Sequence, residues 1–177
     1  RAAMDAFLAD DEAVARVGDA SRRLAEVFRS GHKVLALGNG GSACDAMHFC
    51  EELTGRFRAD RDPLPAIACI DPGHLTCTAN DYGFEQVFAR WVRALGAPGD
   101  ALVVLSTSGN SPNVVRAVEA ASDMTTIALL GPSGGALRGR CDLEWRIDAA
   151  TPDRIQEVHM TILHTLIEGV EIELGMA

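Results

Sequence analysis

Hydrophobic positions along the chain follow two spacings, which predict a series of helices and buried strands. From about Ala2 to Arg29 apolar residues recur at helical spacing between charged residues, so we predict one or two amphipathic helices. Short apolar runs then predict five strands, at 33–37, 65–70, 101–105, 125–130 and 143–147. Helical patterns come between or after these runs, at about 42–53, 83–95, 112–121 and 152–174.

Strands that alternate with helices favour one parallel sheet, because parallel neighbours need a crossover connection that a helix usually provides. We therefore predict an α/β fold with a five-stranded, doubly wound parallel sheet flanked by helices. No Pro/Ser-rich linker or low-complexity segment divides the sequence, so residues 1–177 are predicted to form a single domain. We expect Ser42 to cap its helix, Pro112 to lie in a first helical turn, and residues 71–73 to form a loop.

Composition and charge exclude several classes of protein. The 177 residues carry 16 Lys+Arg against 25 Asp+Glu, a net charge of -9, which disfavours a nucleic-acid-binding surface. No apolar run approaches the roughly 20 residues of a membrane-spanning helix, and Arg1 to Asp10 lacks a signal-peptide pattern, so we expect a cytoplasmic protein without a membrane partner. Because the sequence begins with Arg rather than Met, we also expect a few residues before it.

The five cysteines predict neither a disulfide framework nor a thiolate zinc site. Their number is odd, and no two of them have CxxC spacing. Most lie in apolar or helical stretches, so we expect buried, reduced thiols.

Two loops of small residues follow predicted strands and are candidates for binding phosphate. The first is GNGGS, and the second contains the hydroxyl residues Ser106, Thr107, Ser108 and Ser111 just before a predicted helix. Free N–H groups at a helix N-terminus favour an anion, although a Ser/Thr-rich turn with a cap is an alternative interpretation. Neither loop has the spacing of a dinucleotide or Walker motif, so a small phosphorylated metabolite is favoured over a nucleotide.

Two helices carry polar stripes at helical spacing. Asp45, His48 and Glu52 can line one face of the helix after Ser42, where they could bind a divalent metal or form a surface ion pair. A second stripe on the last helix consists of Asp153, Gln156, Met160 and His164. Since His164 has apolar neighbours, the residues alone favour a hydrogen-bonded core histidine over a ligand.

Other polar and aromatic residues have simpler interpretations. We expect His74 to be a polar loop residue, His159 to be a helix-surface residue, and Trp91 and Trp145 to pack in the core. Arg56 and Arg58 follow the first polar stripe and could either neutralise a phosphate or lie in solvent at a helix end.

Four separated segments together resemble the sugar isomerase (SIS) domain, and within it the phosphoheptose isomerase family. They are GNGGSACDAMHFCEELTGRFR, PAIACIDPGHLTCTANDYGFE, STSGNSPNVVRAVEAA and PDRIQEVHMTILHTLIE. The similarity extends from about residue 33 to residue 174. Their order along the chain makes the resemblance more specific than any single loop.

The resemblance implies an aldose–ketose isomerase that converts sedoheptulose 7-phosphate to D-glycero-D-manno-heptose 7-phosphate, the first step towards nucleotide-activated heptose. It implies a catalytic acid–base pair, Glu52 and His164. A Zn²⁺ ion is implied at the positions His48, Glu52, Gln156 and His164. The implied substrate-binding residues are Asn39, Gly40, Gly41, Ser42, Arg56, Asn80, Asp81, Ser106, Thr107, Ser108, Ser111, Asp153 and Gln156.

The same resemblance implies a homotetramer in which neighbouring subunits contribute to each active site and the helical segment of about residues 1–30 packs in the oligomer. A non-catalytic sugar-phosphate sensor or protein-binding module of the same fold is the alternative function. Glu51 is the alternative to Glu52 as the catalytic carboxylate, because both lie within a turn of His48.

Overall fold

A computed structural model describes residues 1–177, which form seven α-helices and five β-strands. The helices are Ala2–Leu8 (α1), Asp11–Arg29 (α2), Gly41–Thr54 (α3), Pro72–Tyr82 (α4), Val87–Leu95 (α5), Pro112–Ala120 (α6) and Pro152–Leu174 (α7). The strands are Val34–Gly38 (β1), Ala66–Ala68 (β2), Ala101–Ser106 (β3), Thr125–Leu130 (β4) and Leu143–Arg146 (β5). None of the helices combines the length and apolar character needed to cross a membrane.

The five strands form one parallel sheet in the order β2-β1-β3-β4-β5, which confirms the predicted α/β architecture. Strands β1 and β3 are buried along their whole length because helices cover both faces of the sheet. Strand β2 lies on one side of β1, and β3 and the later strands lie on the other side, so the order in which strands are added reverses between β1 and β3. The loops after these two strands therefore lie side by side at the carboxyl edge, where this fold class binds ligands.

Two hydrophobic cores lie on opposite faces of the sheet. The larger core contains apolar residues of α2, α3 and α7 and includes Trp145, whose Nε1 donates a hydrogen bond to the Ala13 carbonyl at 2.9 Å. The smaller core contains residues of α5 and α6 and includes Trp91. Both tryptophans are buried, as predicted. Helices α3 and α7 share the larger core, and this packing brings their polar stripes together.

The prediction of a loop at residues 71–73 was wrong, because these residues begin helix α4. Asp71 is its N-cap, with a side-chain oxygen that accepts a hydrogen bond from the His74 N–H at 2.6 Å, and Pro72 occupies the first turn. Gly83 ends α4 with a φ of 88°, a conformation that glycine adopts easily. The helix predicted from about residue 83 consequently begins at Val87, after a short 3₁₀ turn.

Ser42 does not cap helix α3, contrary to the sequence prediction. Gly40 is the N-cap residue, and Ser42 lies in the first turn, where its side chain is buried. Pro112 lies in the first turn of α6, as predicted.

The cysteines are all free, as predicted, but they are not all buried. Cys50 and Cys69 are buried, whereas Cys44 and Cys77 are exposed. Burial raises the pKa of the Cys50 thiol to about 12, so this thiol is protonated and unreactive at neutral pH.

Candidate active site

The carboxylate of Glu52 lies between two imidazoles that come from different helices. Its Oε1 is 3.2 Å from Nε2 of His48, one turn earlier on α3, and its Oε2 is 3.4 Å from Nε2 of His164 on α7. The Glu52 side chain is only 14% exposed, whereas the two histidines are 46% and 38% exposed. The two predicted polar stripes therefore meet at one site that substrate can approach from solvent.

These three side chains fit a zinc ion. One ligand atom from each of them lies within 4.8 Å of the others, and two imidazoles with a carboxylate form a common zinc donor set. The Oε2 atom of Glu52 is buried and accepts no hydrogen bond, so it has a lone pair available for a cation. Gln156, the fourth residue of the expected ligand set, has its amide beside Gly41 and Ser42, with Nε2 3.5 Å from the Ser42 Oγ.

His164 is held by aromatic neighbours rather than buried in the core. The ring of Phe57 stacks on it at a centroid distance of 5.8 Å, and the His48 ring meets it edge to face at 5.3 Å. Sequence reasoning did not identify Phe57 as a residue of this site. The available signal was an aromatic residue between the two arginines of GRFR, a polar segment with no strand or helix pattern of its own.

Asp45 lies one turn before His48 on the same helix. Its Oδ2 is buried without a hydrogen-bond partner. Burial raises the pKa of the Asp45 carboxyl above its ordinary value, although the nearby His48 acts in the opposite direction. The predicted stripe of Asp45, His48 and Glu52 thus shares one face of α3.

The hydroxyl loop after β3 is held in shape by hydrogen bonds from its own backbone. Ser106 Oγ accepts from the Gly109 N–H, and Ser108 Oγ accepts from the Asn110 N–H, both at 3.1 Å. Ser111 precedes α6 without a side-chain cap, so its hydroxyl is not used by the helix. Together with Thr107, these residues place four hydroxyls next to a helix N-terminus, the arrangement expected for an anion site.

The glycine-rich loop after β1 is tied to the same region by Asn39. Its side-chain amide exchanges two hydrogen bonds with Asn113 of α6, at 3.0 and 2.9 Å. Asn39 was predicted to bind substrate. Both polar atoms of the Asn39 side chain already have protein partners. The contribution that the structure shows is therefore to hold the two loops together.

Several predicted substrate residues make no hydrogen bond or ion pair with the Glu52 group. Asn80 donates to Asp81 at 2.8 Å near the end of α4. Asp153 lies at the start of α7, where a hydrogen bond with Thr151 lowers the pKa of its carboxyl below the ordinary value. Arg56 is exposed, and the structure gives it no ion-pair partner. The roles of these four residues stay predictions.

Three interpretations of single polar residues can be compared directly with the structure. Arg58 pairs with Glu168 of α7 at 2.6 Å in an exposed position at the surface. His74 lies in helix α4, so its prediction as a loop residue was wrong, and it is half-buried with Nε2 2.8 Å from the Val87 carbonyl oxygen. His159 is completely buried, so its prediction as a surface residue was wrong.

His159 is a neutral core residue on α7. Its Nε2 lies 3.1 Å from the carbonyl oxygen of Leu130, and its Nδ1 has no partner. Burial lowers the pKa of the imidazole to about 4, against the opposing effect of the Leu130 carbonyl. The ring is therefore uncharged at neutral pH.

Comparisons with known proteins agree with this architecture. The SIS domain family matches residues 3–131. The chain is 54% identical to a phosphoheptose isomerase of Fusobacterium nucleatum over 93% of this chain and 86% of that protein. It is 51% identical to a phosphoheptose isomerase of Vibrio cholerae, covering 96% and 90% of the two chains.

A solved structure gives the same result. The phosphoheptose isomerase from Francisella tularensis superposes with a TM-score of 0.85 at 40% identity, covering 89% of this chain and 85% of that chain. This agreement in sequence and fold extends well beyond the motif residues. The chain therefore belongs to the SIS domain family, and within that family to the phosphoheptose isomerases.

Proposed function

We propose that this protein is an aldose–ketose isomerase that converts sedoheptulose 7-phosphate to D-glycero-D-manno-heptose 7-phosphate. The observation that carries the proposal is the position of Glu52, whose two carboxylate oxygens face His48 and His164. Moving a carbonyl between C1 and C2 requires one group that removes a proton from carbon and another that moves protons between oxygens. A carboxylate beside an imidazole provides both groups.

Glu52 is the proposed base. It removes the proton from the carbon next to the carbonyl and returns it to the neighbouring carbon, which takes the substrate through an enediolate. His164 is the proposed proton carrier between O1 and O2, because an imidazole can both donate and accept a proton near neutral pH. The stacked Phe57 ring restricts the orientation of the His164 ring and so helps to keep Nε2 directed towards Glu52.

The hydroxyl loop is the proposed phosphate site. Ser106, Thr107, Ser108 and Ser111, together with Ser42 in the first turn of α3, supply hydroxyl groups and nearby helix N-termini for the terminal phosphate. Binding the phosphate away from the reacting carbons provides interaction energy that positions C1 and C2. Asn39, Gly40, Gly41, Arg56, Asn80, Asp81, Asp153 and Gln156 stay in the proposal as further substrate-binding residues.

A zinc ion fits the same group of side chains. His48, Glu52 and His164 would hold it, with Gln156 as the proposed fourth ligand. Bound there, zinc would supply Lewis-acid polarisation of the substrate carbonyl and its enediolate. His164 would then act as a ligand and not as the proton carrier, because a ring nitrogen bound to zinc has no lone pair for a proton.

We further propose a cytoplasmic homotetramer. An exposed apolar patch of Met47, Ile67 and Ile70 supports association between copies of the chain. The patch surrounds a cleft of about 660 Å³ that also includes the half-exposed His48, so an interface here would adjoin the active site. Two statements about residues 1–30 stay predictions. One is that they pack in the oligomer, and the other is that they form one domain with the rest of the chain.

The proposal is tested by incubating the purified, metal-defined protein with sedoheptulose 7-phosphate in deuterium oxide and following the product by NMR. We expect aldose formation with deuterium incorporated at carbon, and loss of both signals in Glu52→Gln and His164→Ala. Phosphate-dependent ligand binding without conversion would contradict the proposal. That outcome would favour a non-catalytic sugar-phosphate sensor or a different phosphosugar.

A further inference from the structure

The geometry points to Arg61 and Glu171 as a positioning pair that sets where Glu52 sits relative to His164. This inference rests on the proposed function for its kinetic consequence, whereas its geometric consequence is independent of that function. Neither residue belongs to the set that holds substrate or metal.

Arg61 is joined to the end of helix α3 at the residue that carries the proposed base. Its Nη2 donates to the backbone carbonyl of Glu52 at 2.7 Å, and its Nη1 donates to the carbonyl of Leu53 at 2.7 Å. Carbonyls in the last turn of a helix have no intrahelical partner, and a cation there is stabilised by the helix dipole. The guanidinium therefore fixes the backbone from which the Glu52 side chain projects.

The same guanidinium is joined to α7, the helix that carries His164. Its Nε is 2.8 Å from Oε1 of Glu171, and the side chains of the pair are only 3% and 8% exposed. Glu171 lies seven residues after His164, about two turns along the same helix face. One side chain thus contacts both helices whose separation determines the Glu52–His164 distance.

The whole segment after α3 follows this face of α7. Phe57 stacks on His164, Arg58 pairs with Glu168, and Arg61 pairs with Glu171. The three α7 residues are at i, i+4 and i+7, so the segment contacts a single stripe of the helix. Arg58 and Glu168 are largely exposed, which makes that pair a weak surface contact and leaves Arg61 as the buried attachment.

The burial of the pair is better explained by positioning than by stabilisation. Removing two charges from water has a large free-energy cost that their attraction often fails to exceed, and apolar replacements of both residues can be as stable. The Arg61 guanidinium contacts two backbone carbonyls of α3 and the Glu171 carboxylate of α7. Apolar side chains cannot reproduce the fixed geometry of these hydrogen bonds.

The test compares Arg61→Met, the double variant Arg61→Met/Glu171→Met and the control Arg140→Met, which removes an exposed arginine that pairs with Glu119 away from α3 and α7. We expect Arg61→Met to lower kcat and zinc affinity by about 10- to 100-fold, the range for residues that orient ligands indirectly. KM should stay close to the parent value, because the phosphate loop is untouched. In the double variant the unfolding midpoint should recover, since no buried charge is left unpaired, while kcat and zinc affinity stay low.

A third readout needs neither activity nor metal. The centroids of the His48 and His164 rings are 5.3 Å apart, so their protons should show a nuclear Overhauser effect in protein prepared without metal. This signal should weaken in both Arg61 variants and persist in Arg140→Met. Parental kcat, zinc affinity and ring contact in the double variant would overturn the positioning role. Absence of isomerisation in the parent would contradict the proposed function instead.

Discussion

Asn39 and Asn113 form a reciprocal amide pair that joins the loop after β1 to the first turn of α6. Each side chain donates to the other, at 3.0 and 2.9 Å, and Asn113 is buried. The Oδ1 atom of Asn113 also accepts from the Val114 N–H at 3.0 Å. The pair therefore fixes the relative positions of the two loops proposed to surround the substrate.

Replacing Asn113 by alanine should weaken both substrate binding and folding. The change leaves the Asn39 amide without a partner in a half-buried position, which costs about 1–3 kcal/mol of unfolding free energy. We expect a raised KM for sedoheptulose 7-phosphate and a lower urea midpoint. Arg116 lies one turn later in α6, where its side chain is exposed. Arg116→Ala is therefore the control and should leave KM unchanged. An unaltered KM in Asn113→Ala would show that the pair does not set the loop positions.

Glu52 and Glu51 should differ sharply in their effect on catalysis. Glu51 is exposed, whereas Glu52 contacts both histidines. Since general acid–base catalysis contributes about 100- to 10,000-fold, Glu52→Gln should lower kcat by that amount. Glu51→Gln should retain nearly parental kcat, as measured by steady-state aldose formation. Equal losses in the two variants would remove the assignment of Glu52 as the base.

Gly131 should tolerate no side chain, because its loop lies against the hydroxyl loop. A Cβ at this position would stand 1.9 Å from the carbonyl oxygen of Thr107. Gly131→Ala therefore has to displace Thr107, and a shift of ~1 Å at a binding group can cost about 100-fold in activity. Phosphate or substrate titration should show this as weaker binding.

Gly18→Ala is the matched control for that substitution. Gly18 lies inside helix α2, where an added Cβ would meet only Arg22 Nη1 at 3.5 Å, an ordinary contact. We expect unchanged substrate binding and a gain of about 0.5–1 kcal/mol in unfolding free energy, because alanine loses less backbone entropy than glycine in a helix. Equal binding in Gly131→Ala and Gly18→Ala would contradict the close packing of the loops.

His159 should make stability depend on pH in the mildly acidic range. Its pKa falls from 6.5 to about 4 on folding, so the native state favours the neutral ring. The stabilisation is fully present above pH 6.5 and is lost as the pH falls through the folded pKa, a change of roughly 3 kcal/mol by pH 4.

The measurement compares urea unfolding of the parent and His159→Leu between pH 7 and pH 4. We expect the parent to lose more unfolding free energy than the variant over this interval, because the leucine cannot take up a proton. Other carboxylates titrate in both proteins, so only the difference between them reports on His159. Parallel pH profiles would show that His159 is not responsible.

The sequence predicted the fold more completely than the environments of single residues. All five strands and the long helix α7 followed from apolar periodicity, whereas α4 was missed because Asp71, Pro72 and Gly73 also fit a loop. The environments of His159 and His164 were harder still to predict. Helix α7 packs against α2 and α3 and has apolar residues on most of its faces, so periodicity does not indicate which histidine is buried.

The sequence by itself determined the alternation of strands and helices, the small-residue loops after β1 and β3, and the stripes that carry His48, Glu52 and His164. These features depend on local spacing, and parallel topology then places the loops at one edge of the sheet. Only the tertiary structure decided that α3 and α7 meet along their polar stripes and that Arg61 contacts Glu171, 110 positions later. Such contacts depend on how distant apolar faces pack together, and local spacing carries no information about that packing.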